Sequence, residues 1–335
     1  MGGVAVNDRG ISVLEQYPLK VFQTYRGRGA IICETDQGLK LLKEYQGSKP
    51  KGKFIHELLQ NLKQEGNIWV DDFVENKEGE IFSIHRDDTV YVLKDWFPGR
   101  ECDVKSSGDI LAASRQLAYL HNSINQCKIE IPEFMQTEES EFLDECIRHQ
   151  RELKRVRNFI RERNRKTEFE LFFLKSFEEL YQRGEEVIST LSIRKQNNEL
   201  SNASVLRICH GECNQHNFWF CDNQIVITNF DRCMIDYQSV DLYHFMRKIL
   251  EKYNWNYELG TAILSAYQKE RKLEEEEKEN LYFRFYYPEK FWKVANHYFN
   301  SRKVWVSERS IEKLRGVLLQ NDAVLGFLNQ MIQKM

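Results

Sequence analysis

The chain has 335 residues and a formal net charge of −3, with 41% hydrophobic and 30% charged residues. This composition excludes a largely disordered protein and favours a globular one with a sizeable core. The small net charge gives no general attraction to nucleic acids or membranes, and no apolar run approaches the ~18–20 residues of a membrane span. The N-terminal MGGVAV matches neither a secretory signal nor a myristoylation site, so we expect synthesis in the cytosol and no membrane partner.

The N-terminal region alternates between strand-like runs, turn signals and one helical pattern. Three short apolar runs lie within 19–43, separated by the turn-forming segments RGRG at 26–29 and DQG at 36–38. Apolar residues then recur at helical spacing over 54–62, and two or three further strands follow within 68–93. This order predicts a small antiparallel sheet with one helix.

Two charged residues of this region are candidates for binding phosphates. Lys43 ends the third predicted strand, and Glu57 lies on the predicted helix, with Gln60 and Glu65 as alternatives to Glu57. Taken alone, each is better explained as a solvated surface charge. Their order ahead of the motif described below favours the functional interpretation. The RGRG segment is not a complete glycine-rich phosphate loop, so it adds little.

The segment YVLKDWFPGRE ends the strand pattern with a Pro-Gly break and predicts a hinge at 95–99. Helical periodicity resumes at 110–121 and in several later segments, so the rest of the chain is predicted to be mainly helical. We therefore expect two lobes, 1–94 and 100–335, joined by the hinge.

Two segments of the helical part have strongly biased compositions. Nine Lys or Arg residues lie between Arg148 and Lys166, a pattern that suits either a nucleic-acid or acidic partner or a solvated face. We favour the solvated face, because no aromatic platform is interleaved with these charges. Residues 282–305 are dense in aromatics, which at helical spacing indicate core more than a ligand cage.

The most informative segment reads CHGECNQHNFWF and, after a short predicted hairpin, IVITNFD. It resembles the catalytic loop H-G-D-x-x-x-x-N and the metal-binding turn I-D-F-D of kinase-like phosphotransferases. Glu212 stands at the position of the catalytic Asp, and Asn217 ends the loop. Asn229 stands at the position of the metal-holding Asp, and Asp231 matches the second Asp of the turn.

The chemistry of phosphoryl transfer explains why two of these positions matter. Transfer depends mostly on positioning and charge neutralisation: the loop carboxylate orients the attacking hydroxyl, and the loop Asn and turn Asp hold Mg²⁺. Glu212 keeps the charge but adds a methylene, whereas Asn229 puts a neutral amide in place of a carboxylate. Losing one electrostatic stabiliser typically costs roughly 100- to 1000-fold in rate. The pattern therefore predicts a phosphotransferase fold with weakened chemistry.

Cysteines and histidines are concentrated around this motif, which raises zinc binding as an alternative. They are Cys209, Cys213, Cys221, Cys233, His210 and His216. Their spacing contains no C-x-x-C pair, and eight cysteines in a chain of this length are too few for a disulfide scaffold. Small buried thiols in a reducing compartment are the preferred explanation.

The chain from about residue 13 to 328 resembles the CotS family of spore coat proteins, which are relatives of the aminoglycoside and choline phosphotransferases, and seven segments in chain order carry the resemblance. They are GLKLLK, YVLKDWFPGRE, LAYLH, CHGECNQHN, ITNFD, SVDLYHFMRK and PEKFWKVANHYF. The resemblance implies an α+β fold of the two-lobed, protein-kinase-like, aminoglycoside phosphotransferase type. Its N-lobe is expected to be a small antiparallel sheet and its C-lobe mainly helical.

The resemblance also implies ATP and Mg²⁺ as cofactors, bound weakly or not at all. Lys43 would contact the nucleotide phosphates and pair with Glu57, while Asn217 and, more weakly, Asn229 would hold the metal. Glu212 would occupy the position of the base.

Three functions compete on this basis. We prefer a catalytically impaired, kinase-fold component of the spore coat that acts by binding or scaffolding. The alternatives are a divergent phosphotransferase acting on a small molecule or protein hydroxyl, and a nucleotide- or polyanion-binding module. The resemblance implies synthesis in the mother-cell cytoplasm, transfer to the spore coat and other coat proteins as partners. The sequence does not indicate a phosphate acceptor.

Overall fold

The computed structural model describes residues 8–27, 29–64, 68–137, 140–197, 205–222, 224–300 and 308–332. The chain divides into two compact units: unit 1 is Met1–Phe134 with His210–Cys233, and unit 2 is Met135–Cys209 with Met234–Met335. This division does not follow the predicted hinge at 95–99, because the motif segment groups with the N-terminal residues. The predicted lobe boundary therefore stays a prediction.

Unit 1 opens with a 3-10 helix, Asp8–Gln16, and an antiparallel sheet ordered β1-β2-β3-β7-β5, with β6 also paired to β7. Its strands are β1 (Val21–Arg26), β2 (Ile31–Thr35), β3 (Gly38–Glu44), β5 (Phe73–Val74), β6 (Ser83–Ile84) and β7 (Val90–Asp95), while β4 (Trp69–Val70) belongs to a second sheet. At the predicted turn before β3, Gly38 has φ 85° and the Thr35 hydroxyl accepts from the Gln37 N–H. The predicted antiparallel sheet is confirmed.

The two faces of this sheet have different roles. Leu42 and Leu93 pack with Val13, Leu14 and Tyr17 in an apolar cluster on one face. Because side chains alternate along a strand, the neighbours of Leu42 on β3 face the opposite side. Helix α1 (Lys49–Gln64) has the predicted buried stripe, made by Phe54, Ile55, Leu58, Leu59 and Leu62.

A second sheet, ordered β4-β11-β10-β8, carries the motif. Its further strands are β8 (Arg100–Glu101), β10 (Phe218–Cys221) and β11 (Gln224–Ile227). Strands β10 and β11 form an antiparallel hairpin, and β4 runs parallel to β11 with Ile227 opposite Val70. This pairing places the segment after α1 beside the turn that follows β11. Helix α2 (Ser107–Gln126) completes unit 1 and is capped by Ser106.

Unit 2 is mainly helical, as predicted. Its elements are α3 (Phe142–Glu162), α4 (Glu168–Gln196), β9 (Arg207–Cys209), β12 (Met234–Asp236), α5 (Ser239–Leu250), α6 (Tyr257–Gln268), α7 (Glu275–Tyr286), α8 (Glu289–Asn300), α9 (Glu308–Leu319) and α10 (Asn321–Ile332). Strands β9 and β12 pair antiparallel. A capping box joins Thr167 and Glu170 at the start of α4, so the first backbone donors of this long helix are satisfied.

The two compositionally biased segments lie in unit 2. Within the basic stretch, Arg157 and Arg163 form ion pairs with Glu178 and Glu170 of α4. In the aromatic segment, Phe291 is fully buried and stacks on Phe173, as expected for core. Across the described part of the chain, no helix combines the length and the apolar character needed to cross a bilayer.

Candidate functional site

A cleft of about 780 Å³ opens within unit 1 between β3, the end of β4, the segment after β7 and the motif loop. Its lining includes most of the residues selected from the sequence: Lys43, Glu212, Asn217, Asn229 and Asp231. The structure thus brings together five of the six candidates. The sixth, Glu57, lies elsewhere.

Lys43 extends from β3 into the cleft, on the sheet face opposite the apolar cluster. Its Nζ donates to Oδ1 of Asn229 at 2.9 Å and forms an ion pair with Asp231. Glu57 is exposed on α1, where its carbonyl accepts from the Asn61 side chain. The predicted pairing of Lys43 with Glu57 is therefore not formed in this structure.

Helical geometry explains where Glu57 lies. The stripe of α1 that includes Leu58 and Leu62 faces the core, and Glu57 lies off that stripe. The first alternative, Gln60, instead donates to Oδ2 of Asp72 at 2.5 Å. The second alternative, Glu65, lies outside the described residues.

Asp71, which the sequence analysis missed, is the buried carboxylate nearest the turn. It follows β4 and is 2% exposed. Both of its oxygens accept the backbone N–H of Asn229, each at 3.0 Å. Burial raises the pKa of this carboxyl, although Lys94 and Lys43 act in the opposite direction. Two consecutive aspartates directly after an apolar run, IWVDD, are the signal that points to this site.

Lys94 is the second missed residue and provides the counter-charge of Asp71. It lies near the end of β7, is completely buried, and places Nζ 2.9 Å from Oδ2 of Asp71. The contact is an ion pair, and Lys94 Nζ has no hydrogen-bond partner among the described residues. The ammonium also lies 4.7 Å from the ring centre of Phe73. A lysine closing the apolar run YVLK is the corresponding sequence signal.

The turn after β11 has an unusual backbone at Asn229, which adopts the left-handed conformation with φ 70° and ψ 61°. Asn tolerates this region better than most residues with a Cβ. Burial disfavours ionisation of the nearby Asp231, yet Lys43 and Lys94 hold the pKa of that carboxyl below its usual value. Asp231 is therefore the anionic group of the turn.

The two ends of the loop 210–217 converge on one backbone oxygen. His210 Nε2 donates to the Thr228 carbonyl at 2.9 Å, and Asn217 Nδ2 donates to the same oxygen at 3.1 Å. His210 Nδ1 accepts from the N–H of Glu212 at 3.3 Å, which fixes the tautomer with the proton on Nε2. A Cβ at Gly211, where φ is 85°, would lie 2.0 Å from the Arg232 carbonyl oxygen, so this position requires glycine.

Glu212 lies at the rim of the cleft and not in its depth. Its side chain is 55% exposed, and the nearest cation is Arg232, whose Nε lies 4.0 Å away and whose side chain is 76% exposed. Such an exposed pair contributes little to stability. The carboxylate is consequently accessible to a substrate.

Two buried oxygen atoms of residues that line the cleft are suited to a hard cation. Oδ1 of Asn217 and Oδ1 of Asp231 are buried and have no hydrogen-bond partner in the described part of the chain. Buried oxygens are normally bonded, so such a pair points to a missing ligand. Amide and carboxylate oxygens suit Mg²⁺, so the residues present fit this metal. The amide oxygen of Asn229, in contrast, is engaged by Lys43.

Part of the cleft lining is apolar and aromatic. Ile32, Leu41, Trp96 and Trp219 line it, and the two indole rings have centroids 4.9 Å apart. Trp219 Nε1 donates to the Phe97 carbonyl at 3.0 Å. Because Lys43 lines the same cleft, one ligand can place a planar apolar group against the indole rings and an anionic group near Lys43.

The cysteine and histidine cluster gives no support to zinc binding. Among the residues that the structure describes, no group of three or more His, Cys, Asp or Glu side chains is arranged to hold a metal ion. No disulfide joins the eight cysteines, all of which lie in described segments.

A protein-family model described as "Spore coat putative kinase YutH" matches residues 11–331, which is nearly the whole chain. The chain belongs to the YutH family of spore coat proteins. This family is CotS-like, so the resemblance recognised from the sequence is confirmed. No curated protein matches the sequence.

Solved structures similar to this YutH-family chain share its fold at low sequence identity. An aminoglycoside phosphotransferase from Alicyclobacillus acidocaldarius matches with a TM-score of 0.82 and 16% identity, covering 100% of this chain and 97% of that one. The amicoumacin kinase hAmiN matches at 0.64 and 15%, covering 94% and 93%. A choline kinase from Cryptosporidium parvum matches at 0.52 and 12%, covering 95% of each. The predicted aminoglycoside phosphotransferase-like kinase fold is confirmed.

Proposed function

We propose that this YutH-family chain is a nucleotide-binding component of the spore coat that transfers phosphate poorly and acts by binding. The family assignment supports the spore coat, and the kinase fold with its formed cleft supports the nucleotide. The solved structure of hAmiN contains AMP-PNP and Ca²⁺, and we extend that ligand class, a nucleoside triphosphate with a divalent cation, to this chain.

The amide at position 229 is the observation that carries the proposal. Lys43 meets a neutral oxygen there, so the cleft has a lysine for phosphates but only one carboxylate, Asp231, on the turn. In this proposal Asn217 and Asp231 hold Mg²⁺, which partly neutralises the phosphate charge when it is bound. Losing one such carboxylate weakens transfer by roughly 100- to 1000-fold and leaves binding less affected.

A direct test measures binding and turnover separately. Calorimetric titration of the full chain with AMP-PNP, with and without Mg²⁺, is expected to give saturable binding that Mg²⁺ strengthens. Turnover of ATP is expected to stay below about 1 s⁻¹, the lower end of the usual kinase range. The double variant Asn229→Asp with Glu212→Asp is expected to raise it.

The matched control is Asn254→Asp, which makes the same chemical change at another left-handed asparagine, outside the cleft. It is expected to leave both binding and turnover unchanged. No nucleotide binding by the native chain would overturn the proposal. Turnover well above 1 s⁻¹ would overturn the poor-transfer part of it.

The second candidate is a divergent phosphotransferase acting on a small-molecule or protein hydroxyl. The two unbonded oxygens of Asn217 and Asp231, together with the accessible carboxylate of Glu212, favour it. Incubating the chain with labelled ATP and spore extract, then separating the labelled products, distinguishes it from the first candidate. A labelled acceptor that forms with the native chain and does not form with the Lys43→Met variant would establish the second candidate.

The proposed location is the spore coat, after synthesis in the mother cell, with other coat proteins as partners. Fractionation of sporulating cells that carry a tagged copy tests this. Recovery in the coat fraction supports the binding role. Recovery only in mother-cell cytosol rejects it.

A further inference from the structure

A buried ion pair beside the metal-binding turn offers a role beyond the residues of the kinase motif. The parallel pairing of β4 with β11 brings Asp71 level with Asn229, although the two are 158 positions apart in the chain. The contact is between a side chain and a backbone N–H. It therefore acts on the conformation of the turn whatever side chain stands at 229.

The turn needs such support because Asn229 is in the left-handed region, which a residue with a Cβ occupies only when its surroundings fix it there. Asp71 accepts the N–H of Asn229 with both oxygens, and a charged acceptor makes a stronger bond than a neutral one. Lys94 neutralises the carboxylate, so the charge can remain buried.

The position of Lys43 depends on the same turn. Its two contacts, Asn229 and Asp231, lie on either side of Phe230, and Glu57 is exposed on α1. A change in the backbone at 229 would therefore shift both groups that hold the lysine.

We propose that Asp71 and Lys94 are positioning residues, which fix the turn at Asn229 and thereby hold Lys43 and Asp231 ready for the phosphates of a nucleotide. This inference rests on the proposed function, since it concerns the same cleft. Asp71, which follows β4, and Lys94 on β7 would thus position Lys43, the role that the sequence had suggested for Glu57 on α1.

Two double variants separate positioning from simple stabilisation. Asp71→Asn with Lys94→Met removes both charges but keeps an oxygen that can accept the Asn229 N–H. Asp71→Leu with Lys94→Met removes the acceptor as well. Both avoid leaving an unpaired buried charge, which would destabilise the chain for an unrelated reason.

The first readout is the affinity for AMP-PNP with Mg²⁺. The leucine variant is expected to bind about 10- to 100-fold more weakly than the asparagine variant, the usual effect of losing an outer partner that orients a ligand group. The second readout is hydrogen exchange of the ligand-free chain over residues 227–233. Exchange is expected to be faster in the leucine variant only, and the increase is expected to be larger over residues 227–233 than in the rest of the chain.

If the leucine variant does not fold, Asp71→Ala with Lys94→Met replaces it, since that change removes the acceptor without adding volume. If the native chain binds nucleotide, equal affinity for AMP-PNP and equal hydrogen exchange in the two double variants would overturn the inference. Failure of the native chain to bind any nucleotide would instead overturn the proposed function, and the exchange comparison would still decide whether Asp71 fixes the turn.

Discussion

In the helical unit, the Arg284 guanidinium donates hydrogen bonds to Asp236 and Asn280. In the cleft, Asp231 contacts Lys43 with one oxygen, and its other oxygen has no partner in the part of the chain that the structure describes. The first arrangement is closed, because the charge has a counter-charge and a further hydrogen-bond partner. The second is open, because Asp231 and Asn217 each keep a buried oxygen that no described residue bonds. Closed arrangements should govern stability, and open ones should govern ligand binding.

The largest expected loss of stability comes from breaking the closed ion pair between Asp236 and Arg284. Asp236→Asn leaves Arg284 buried without its counter-charge, and the free energy of unfolding should fall by about 3–5 kcal/mol in urea titrations. Adding Arg284→Met should recover most of that loss. Affinity for AMP-PNP should not change, because both residues lie in unit 2. A loss below about 1 kcal/mol would mean that this pair behaves like an exposed one.

A smaller loss of stability is expected on acidification, because of a buried histidine in the helical unit. His149 stacks on Trp292, and burial lowers its pKa to about 4 from 6.5. The unfolded chain therefore binds a proton that the folded chain does not, and stability is lost as pH falls from about 6.5 to 4. The total loss is about 3 kcal/mol, at about 1.4 kcal/mol per pKa unit.

His149→Phe should keep the stacking and remove this proton. Burial also lowers the pKa of His244 to about 4, so the variant should lose about half of the histidine contribution to the pH slope. Unfolding free energies at pH 5 and pH 6 measure that slope, with His297→Gln as the comparison. An unchanged slope in His149→Phe would contradict the expectation.

The smallest effect on stability is expected at the open oxygens. Asn217→Ala loses the bond to the Thr228 carbonyl and should cost about 1 kcal/mol. The same variant should abolish the strengthening of AMP-PNP binding by Mg²⁺, whereas Asn217→Asp should retain it. A Mg²⁺ effect that survives in Asn217→Ala would place the cation elsewhere.

Local pattern predicted much of this molecule. The hairpin at DQG, the apolar stripe of α1 and the helical remainder follow from turn chemistry and periodicity, which depend on neighbours in the sequence. The motif also placed five candidates in one cleft, since spacing along a loop fixes which residues share it. The predicted pairing of Lys43 with Glu57 was less well founded, because the apolar stripe that predicted α1 already indicated that Glu57 lies off the buried face of this helix.

Asp71 and Lys94 illustrate what local pattern does not reveal. The charges that follow the apolar runs IWV and YVL are visible in the sequence, but their contacts are not. Asp71 reaches Asn229 only because β4 pairs with β11, which joins distant parts of the chain, and Lys94 pairs with Asp71 in turn. The left-handed backbone at Asn229 is equally hidden, because Asn adopts several conformations and the choice is made by its surroundings.

The carbonyl oxygen of Thr228, which accepts from both His210 and Asn217, has a consequence for the evolution of this loop. A backbone oxygen is supplied by every amino acid, so the anchor survives any replacement at 228 that preserves the course of the chain. The side chains at 212 and 229 can therefore be exchanged for others without unravelling the loop, because neither of them supplies this anchor.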